Sequence, residues 1–400
     1  MKVGIYLRNY KLTEGGAALL VNTLKEELSH LASDKYEFVT IYNGGVSDPY
    51  RTTTVEGEFV NLTRARLKYI FPAKLQDMKN IPRRILFNIL CRKGNGNTSS
   101  IWDMMCKKEG IDLLWFTHPV QERTSVPYIF TVWDLGHRVL PAFPEMTGDI
   151  SDWNERENVC REMLYRATRV LTANEQGKKE ILENYSIPED KIRIVPFPLS
   201  NICNVDESKP DVKLPEEFFF YPAQFWPHKN HIRIIEALRI LRDNKNTKVN
   251  VVFTGADRPL KKYIINEINK RDLNDQIVFA GLVTSQELKY MYTRSRGLIY
   301  ASLLGPNNIP PYEAVCLDKP VIISDIQGHR EQMGNAALFF DPYSAEELAD
   351  RIYTLLTDEN VNAKLKHDSE KLRKTLLEYS YSKTMFSILD EVYEMRKCWS

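Results

Sequence analysis

Val3 to Leu7 is a short apolar run, and beyond a loop holding Gly15 and Gly16 the segment Ala17 to Leu31 places apolar residues at helical spacing. A strand, a glycine loop and a helix are predicted there. The runs Glu37 to Tyr42, Asp112 to Phe116, Tyr128 to Val132 and Arg169 to Thr172 are further predicted strands, with helical stretches such as Glu155 to Ala167 between several of them. Such alternation predicts a parallel sheet with helices on both faces.

The rhythm breaks at Asn201 to Pro215, where NVDESKPDVKLP carries little apolar content and two prolines. It then restarts with predicted strands Phe218 to Tyr221, Val249 to Thr254, Ile277 to Phe279, Gly297 to Tyr300 and Pro320 to Ser324. Helices are predicted from about Asn230 to Asp243, near Leu260 to Arg271, and over Ser285 to Thr293 and Ala345 to Thr357, with a last amphipathic stretch at Ser382 to Arg396. The expected organisation is a first α/β domain over 1–200, a linker over 201–215, a second α/β domain over 216–378, and a terminal helix over 379–400 that packs back on the first domain. Four hundred residues agree with two domains, because single cores rarely grow beyond roughly 250 to 300 residues.

Charge narrows the function classes. A formal net charge of +1 gives no global footprint for nucleic acid, which a strongly basic domain would leave. The six cysteines are scattered, with no C-x-x-C pair and no His at zinc-ligand spacing, so they read as reduced thiols. No stretch reaches the ~18 consecutive apolar residues of a spanning helix, and the amino-terminal run turns polar too early for a signal peptide. A cytoplasmic location is expected.

Candidate chemistry sits in loops that follow strands, where open α/β sheets place ligands. Gly15 and Gly16 would let backbone approach an anionic ligand ahead of a helix N-terminus. The Gly-x-Gly-x-x-Gly fingerprint of dinucleotide binding is absent, which demotes a nicotinamide enzyme. Tyr221-Pro-Ala-Gln-Phe-Trp-Pro-His-Lys-Asn230 ends a strand and leads into a helix, and Lys229 would meet a diphosphate there as a point charge. Leu304-Gly-Pro-Asn-Asn-Ile-Pro-Pro-Tyr-Glu-Ala314 follows another strand: Asn307, Asn308 and the N–H of Ile309 offer donors, and Glu313 is expected in the first turn of a helix.

These two segments resemble glycosyltransferase family 4, retaining enzymes of the GT-B fold with two Rossmann-like domains facing across a cleft. Lys229 matches the family's diphosphate-binding lysine. Glu313 matches the second glutamate of its Glu-x7-Glu motif, which binds the donor ribose. The sequence Ala314-Val-Cys-Leu-Asp-Lys-Pro-Val-Ile continues like the family's Ala-x-Ala-x-Gly-x-Pro-Val-Ile, and the resemblance runs from about Phe218 to Leu356. Gln224 replaces the family's arginine and Gly305 its first glutamate. These departures leave Lys229 with neutral helpers such as His228, and Asn307 and Asn308 to take over the sugar contact.

In the first domain, Thr131-Val-Trp-Asp-Leu-Gly-His-Arg138 resembles the family segment in which a histidine faces the donor sugar, giving His137 with Asp134 as its neighbour; His118 is the second candidate. The resemblance implies a metal-independent transferase with no cofactor besides its nucleotide-diphosphate sugar, and the chain contains no Asp-x-Asp. Acceptors would be glycans or glycolipids of cell-surface polysaccharide assembly. Between Arg64 and Lys93, nine basic residues against Asp77 alternate with Leu67, Tyr69, Ile70, Phe71, Ile85, Leu86 and Phe87, a composition that suits docking on the anionic inner face of a membrane. A GT-B epimerase or sugar phosphorylase shares the fold, but no phosphorylase cofactor lysine or phosphate site is evident. A silent sugar-binding or scaffold subunit is the rival that the two departures motivate.

Overall fold

The computed structural model describes residues 1–8, 10, 16–29, 33–42, 58–61, 101–147 and 150–399. Gly15 and the basic stretch 64–93 lie outside these residues; Gly16 opens the helix Gly16–Ser29.

The first domain is built on seven parallel strands: β1 (Lys2–Leu7), β2 (Glu37–Tyr42), β3 (Glu58–Asn61), β4 (Leu113–Phe116), β5 (Tyr128–Thr131), β6 (Arg169–Thr172) and β7 (Ile192–Ile194), in the order β3-β2-β1-β4-β5-β6-β7. All of β4 and β5 is buried, as uninterrupted apolar runs require when helices cover both faces. The second sheet holds β8 (Phe219–Pro222), β9 (Val251–Thr254), β10 (Ile277–Gly281), β11 (Gly297–Tyr300), β12 (Val321–Ser324) and β13 (Leu338–Phe340), ordered β10-β9-β8-β11-β12-β13.

Both sheets reverse their winding at one crevice, between β1 and β4 in the first and between β8 and β11 in the second. Ligands of doubly wound sheets bind outside the carboxyl ends of the strands at such switch points. Residues 117–118 and 223–229 therefore occupy the two places where the fold offers a site.

The terminal helix Tyr381–Arg396 returns to the first domain, where Tyr381, Met385, Ile388, Leu389 and Val392 join the core of Val3, Ile5, Trp115 and Leu171. Glu391 fixes its position by accepting from Arg169 Nε (3.0 Å) and Arg193 Nη2 (2.7 Å). Short strands β3, β7 and β13 and the polar helices Glu175–Asn184 and Glu359–Glu378 add to the expected elements. Glu359–Glu378 buries only Leu365 and Ser369, too little for apolar spacing to announce it. No helix among the described residues is long and apolar enough to cross a membrane.

Candidate functional site

β8 ends at Pro222, and the turn that follows is stitched by Trp226 N–H donating to Gln224 O (2.8 Å) and Lys229 N–H to Trp226 O (3.0 Å). Asn230 closes the turn at φ 56°, a left-handed conformation that Asn tolerates better than most residues, and helix His231–Lys245 begins there. Lys229 is thereby set in the β8/β11 crevice. Its Nζ donates to Tyr300 Oη (3.2 Å) and Ser302 Oγ (3.3 Å), both at the carboxyl end of β11.

Tyr300 in turn donates to Asn308 Oδ1 (2.9 Å), and Asn308 Nδ2 lies 2.9 Å from His329 Nε2. His329 Nδ1 faces the Ser324 carbonyl at 2.9 Å, so Nδ1 carries the proton and Nε2 accepts. Burial brings His329 down to about 4, consistent with a neutral ring in this chain of bonds. The Asn308 side chain is thus engaged within the protein, while Asn307 stays half-buried with no side-chain bond among the described residues.

Glu313 is the fifth residue of helix Ile309–Cys316, not a first-turn residue, because Pro310 and Pro311 occupy the positions that lack intrahelical N–H partners. It is buried, with Oε1 accepting from Ser200 Oγ (2.6 Å) and Oε2 from Tyr292 Oη (3.0 Å). Burial raises its carboxyl above the usual range against both bonds. A ribose reaching Glu313 would compete with Ser200. Glu313→Ala takes the acceptor from the buried Ser200 hydroxyl, while Tyr292 Oη keeps Pro310 O (3.3 Å), and is expected to cost about 1–3 kcal/mol, Glu313→Gln less. Urea unfolding checks this, and equal stability of the two variants would contradict it.

Among the described residues, side-chain hydrogen bonds at four places join the domains. Glu145, in the short helix Pro144–Thr147, accepts through Oε1 from the backbone N (2.8 Å) and Nδ1 (2.6 Å) of His228. Burial and Lys229 lower the pKa of His228, while Glu145, which burial alone would raise, is held below its usual range by the His228 bonds. A neutral imidazole therefore donates to a carboxylate, whose Oε2 is buried without a partner. Glu331 of the second domain caps helix Glu175–Asn184 of the first, accepting from the N–H groups of Glu175 (2.7 Å) and Gln176 (2.9 Å), where a helix favours negative charge. Asn174 Nδ2 donates to Pro306 O, and Ser200 reaches Glu313.

The two candidate histidines of the first domain differ in surroundings. His137 turns away from the seam: its Nε2 lies 3.3 Å from both Glu157 Oε2 and Tyr185 Oη. Burial lowers its pKa although Glu157 pulls the other way. Glu157 also accepts from Arg138 Nε (2.8 Å), Arg161 Nε (2.5 Å) and Tyr185 Oη (2.9 Å). Burial pushes this carboxyl up, but the three donors outweigh it and bring it to about 2. Its neighbour Asp134 accepts from Gly136 N–H (2.8 Å), a local turn bond.

His118 follows β4 at the β1/β4 crevice. It is buried against Tyr6 and Tyr10, ring centroids 5.0 and 6.0 Å away, with Nε2 unpartnered. Burial, with Arg8 nearby, brings it to about 3.

Glu157→Gln removes a charge that holds two arginines and is expected to cost about 2–4 kcal/mol at neutral pH. In the unfolded chain the carboxyl regains its usual pKa, so its contribution is lost as pH falls from about 4.5 toward about 2. The gap in urea midpoints between wild type and variant should begin to narrow below about pH 5 and go on narrowing down to the acid limit of the native state; a constant gap would mean that the network does not depend on the charge.

Residues 204–372 match the family model of "Glycosyl transferases group 1". The match spans the second sheet, from before β8 to within helix Glu359–Glu378. Lys229, Glu313 and the β8/β11 crevice all lie inside it. The chain is 28% identical over 177 residues to O-antigen chain mannosyltransferase RfbU of Salmonella typhimurium, covering 44% of this chain and 48% of that protein. Over 214 residues it is 23% identical to O-antigen chain mannosyltransferase B of Escherichia coli, covering 51% and 55%. The chain thus spans about half the length of these relatives.

Among solved structures, sucrose-phosphate synthase from Thermosynechococcus elongatus superposes with a TM-score of 0.69 at 15% identity over 98% of this chain and 99% of that one. Anabaena HepE in complex with UDP and glucose gives 0.64 at 12% over 98% and 100%. At these identities the likeness shows the fold, GT-B, along nearly the whole chain. Among the described residues no group of three or more His, Cys, Asp and Glu side chains is placed to hold a metal ion.

Proposed function

We propose that the chain is a retaining, metal-independent glycosyltransferase that moves a hexose, mannose in the first instance, from a nucleotide-diphosphate donor to a glycan or glycolipid acceptor in cell-surface polysaccharide assembly. Lys229 carries this reading: a group 1 domain presents it at the switch point of the second sheet, facing a first domain already joined across the seam. Loss of the nucleotide diphosphate concentrates negative charge on the leaving phosphate as the sugar becomes oxocarbenium-like. The Lys229 ammonium and the positive end of helix His231–Lys245 beside it stabilise that charge.

The acceptor belongs at the β1/β4 crevice, where the unpartnered Nε2 of His118 offers a group that a sugar hydroxyl would satisfy. The mannosyl and polysaccharide parts follow the names of the relatives, and retention follows the family resemblance. Access to a lipid-linked acceptor would come through the basic stretch 64–93, and flotation with anionic liposomes at low salt, where attraction is strongest, tests that part.

The deciding experiment pairs thermal shift with transfer. A sugar nucleotide at about 100 times its Kd stabilises by about 2.7 kcal/mol, so GDP-mannose and UDP-, dTDP- and CMP-sugars are compared with Mg²⁺ and with EDTA. One base class shifting the melt in both conditions, followed by glycosyl transfer with the donor's anomeric configuration kept in the product by NMR, is the expected result. Binding without transfer across an acceptor panel would identify a silent sugar-binding subunit, and no binding would sink the reading.

A further inference from the structure

The segment that crosses from the first domain to the second runs alongside the helix Ile309–Cys316. Ser200 Oγ donates to Glu313 Oε1 (2.6 Å), and three residues further along both stretches Cys203 meets Cys316, their thiols hydrogen-bonded to each other. That step is one turn of the 3₁₀ helix Asn201–Cys203 and close to one turn of the α-helix, so the first contact sets up the second. Lys289 holds the turn in place, its Nζ donating to Cys203 O (2.9 Å) and Val205 O (2.7 Å). Cys203 is half-buried and Cys316 is buried.

We propose that Cys203 and Cys316 are a modification site, a thiol pair that small-molecule disulfides oxidise to a reversible cross-link, and that the cross-link pins Ser200 on Glu313. Its effect on the donor rests on the nucleotide-sugar reading above; the disulfide itself does not. The Cys316 thiol donates to the Cys203 sulfur, and that bond, aided by Arg373 and Lys289, outweighs burial and brings Cys203 down to about 7, while the same bond and burial hold Cys316 well above the usual thiol range. The more accessible sulfur is therefore the nucleophile. Its thiolate attacks one sulfur of the reagent, whose S–S bond breaks to release a first thiolate; Cys316 then attacks the Cys203 sulfur, passing its proton to the second thiolate as that leaves. Two protein thiols are oxidised and the reagent is reduced to two thiols. Burial pushes Cys106 and Cys160 up to about 12 and about 11 instead, which leaves them inert. A ribose hydroxyl has to displace Ser200 from Glu313, and a covalent link three residues along takes from that segment the freedom to yield.

Equilibration of the full chain with reduced and oxidised glutathione, followed by alkylation and peptide mapping by mass spectrometry, tests the pair. Wild type is expected to form a Cys203–Cys316 disulfide that dithiothreitol reverses. In Cys316→Ser the reaction should stop at a glutathione adduct on Cys203, and in Cys203→Ser it should leave Cys316 unmodified. Calorimetric titration with UDP, GDP, dTDP, ADP and CDP then reads the consequence. One diphosphate should bind the oxidised wild type roughly tenfold more weakly than the reduced one, the loss of one hydrogen bond to a charged group, and should bind Cys203→Ser equally after either treatment.

Should Cys316→Ser fail to fold, Cys316→Ala carries the same comparison. No cross-link at a glutathione ratio that already modifies the exposed Cys398, or a Cys203 adduct as lasting in wild type as in Cys316→Ser, would overturn the pair. A disulfide that leaves the diphosphate affinity unchanged would overturn its hold on Glu313 while leaving the transferase reading intact. A reduced chain that binds no nucleotide would overturn both that reading and the effect on the donor.

Discussion

Lys229→Ala is expected to lower kcat/KM for glycosyl transfer by roughly 10²–10³, the cost of removing one preorganised charge-stabilising group, about 2.7–4 kcal/mol. Among the described residues Lys229 has no carboxylate partner: its Nζ rests on two hydroxyls, Tyr300 Oη and Ser302 Oγ. Those neutral acceptors hold the ammonium in place without neutralising it. The truncated side chain would leave hydroxyls that reach other partners, because Tyr300 donates to Asn308 and Ser302 to Leu304 O (2.8 Å). Stability should therefore change by less than about 1 kcal/mol, within the range of substitutions that strand no buried group.

The expected signature is a folded variant that fails in transfer and in nucleoside diphosphate affinity together. A kcat/KM within threefold of wild type would remove Lys229 from the site, and a collapse in melting temperature would mean that the Tyr300–Asn308–His329 network depends on it.

Lys229 was legible before any coordinates because its place follows from a short chain of local facts: an apolar run ending at Tyr221, a proline-bounded turn, and a helix beginning near Asn230. The double alternation of strands and helices fixed the two-domain reading in the same way. Residues whose meaning lies across the seam carried no such signal. Glu145 is an ordinary acidic residue after a proline until the second domain supplies His228, and Glu331 looks like any surface carboxylate until it meets the N-terminus of helix Glu175–Asn184.

Orientation was equally hidden. In the helix Gly136–Val139, a rotation of about 100° per residue separates a histidine that faces a ligand from one that faces Glu157, and only packing decides. Arg258 is one of two adjacent charges in the stretch Ala256-Asp257-Arg258-Pro259; its bond to Gln224 Oε1 (3.0 Å) depends on where the loop after β9 runs.

Folding stability is expected to fall steeply below pH 6.5, by about 4 kcal/mol per pH unit. Three histidines, His118, His231 and His329, are fully buried, and burial is the first cause that lowers each of them, to about 3, 3 and 4. In the unfolded chain each takes up a proton near its ordinary value, so below about 6.5 the unfolded state binds more protons than the native one. Stability then rises with pH and is lost as pH falls, at about 1.4 kcal/mol per pH unit for each proton. Three such protons would exhaust a typical stability of about 5–15 kcal/mol within about one to four units, so the native state should be lost between about pH 5 and pH 3.

His231 separates this cause from general acid unfolding. Its ring stacks on Phe225 at 4.6 Å with Phe253 5.1 Å away, and its nitrogens make no hydrogen bond of normal geometry. A phenyl ring fits that aromatic cage and does not titrate. His231→Phe should keep the fold and reduce the slope between pH 6.5 and 4.5 by about a third, read from urea midpoints at half-unit steps. An unchanged slope would mean that His231 is not the neutral, unhydrated ring that its packing describes; a flat profile for wild type would refute the mechanism for all three.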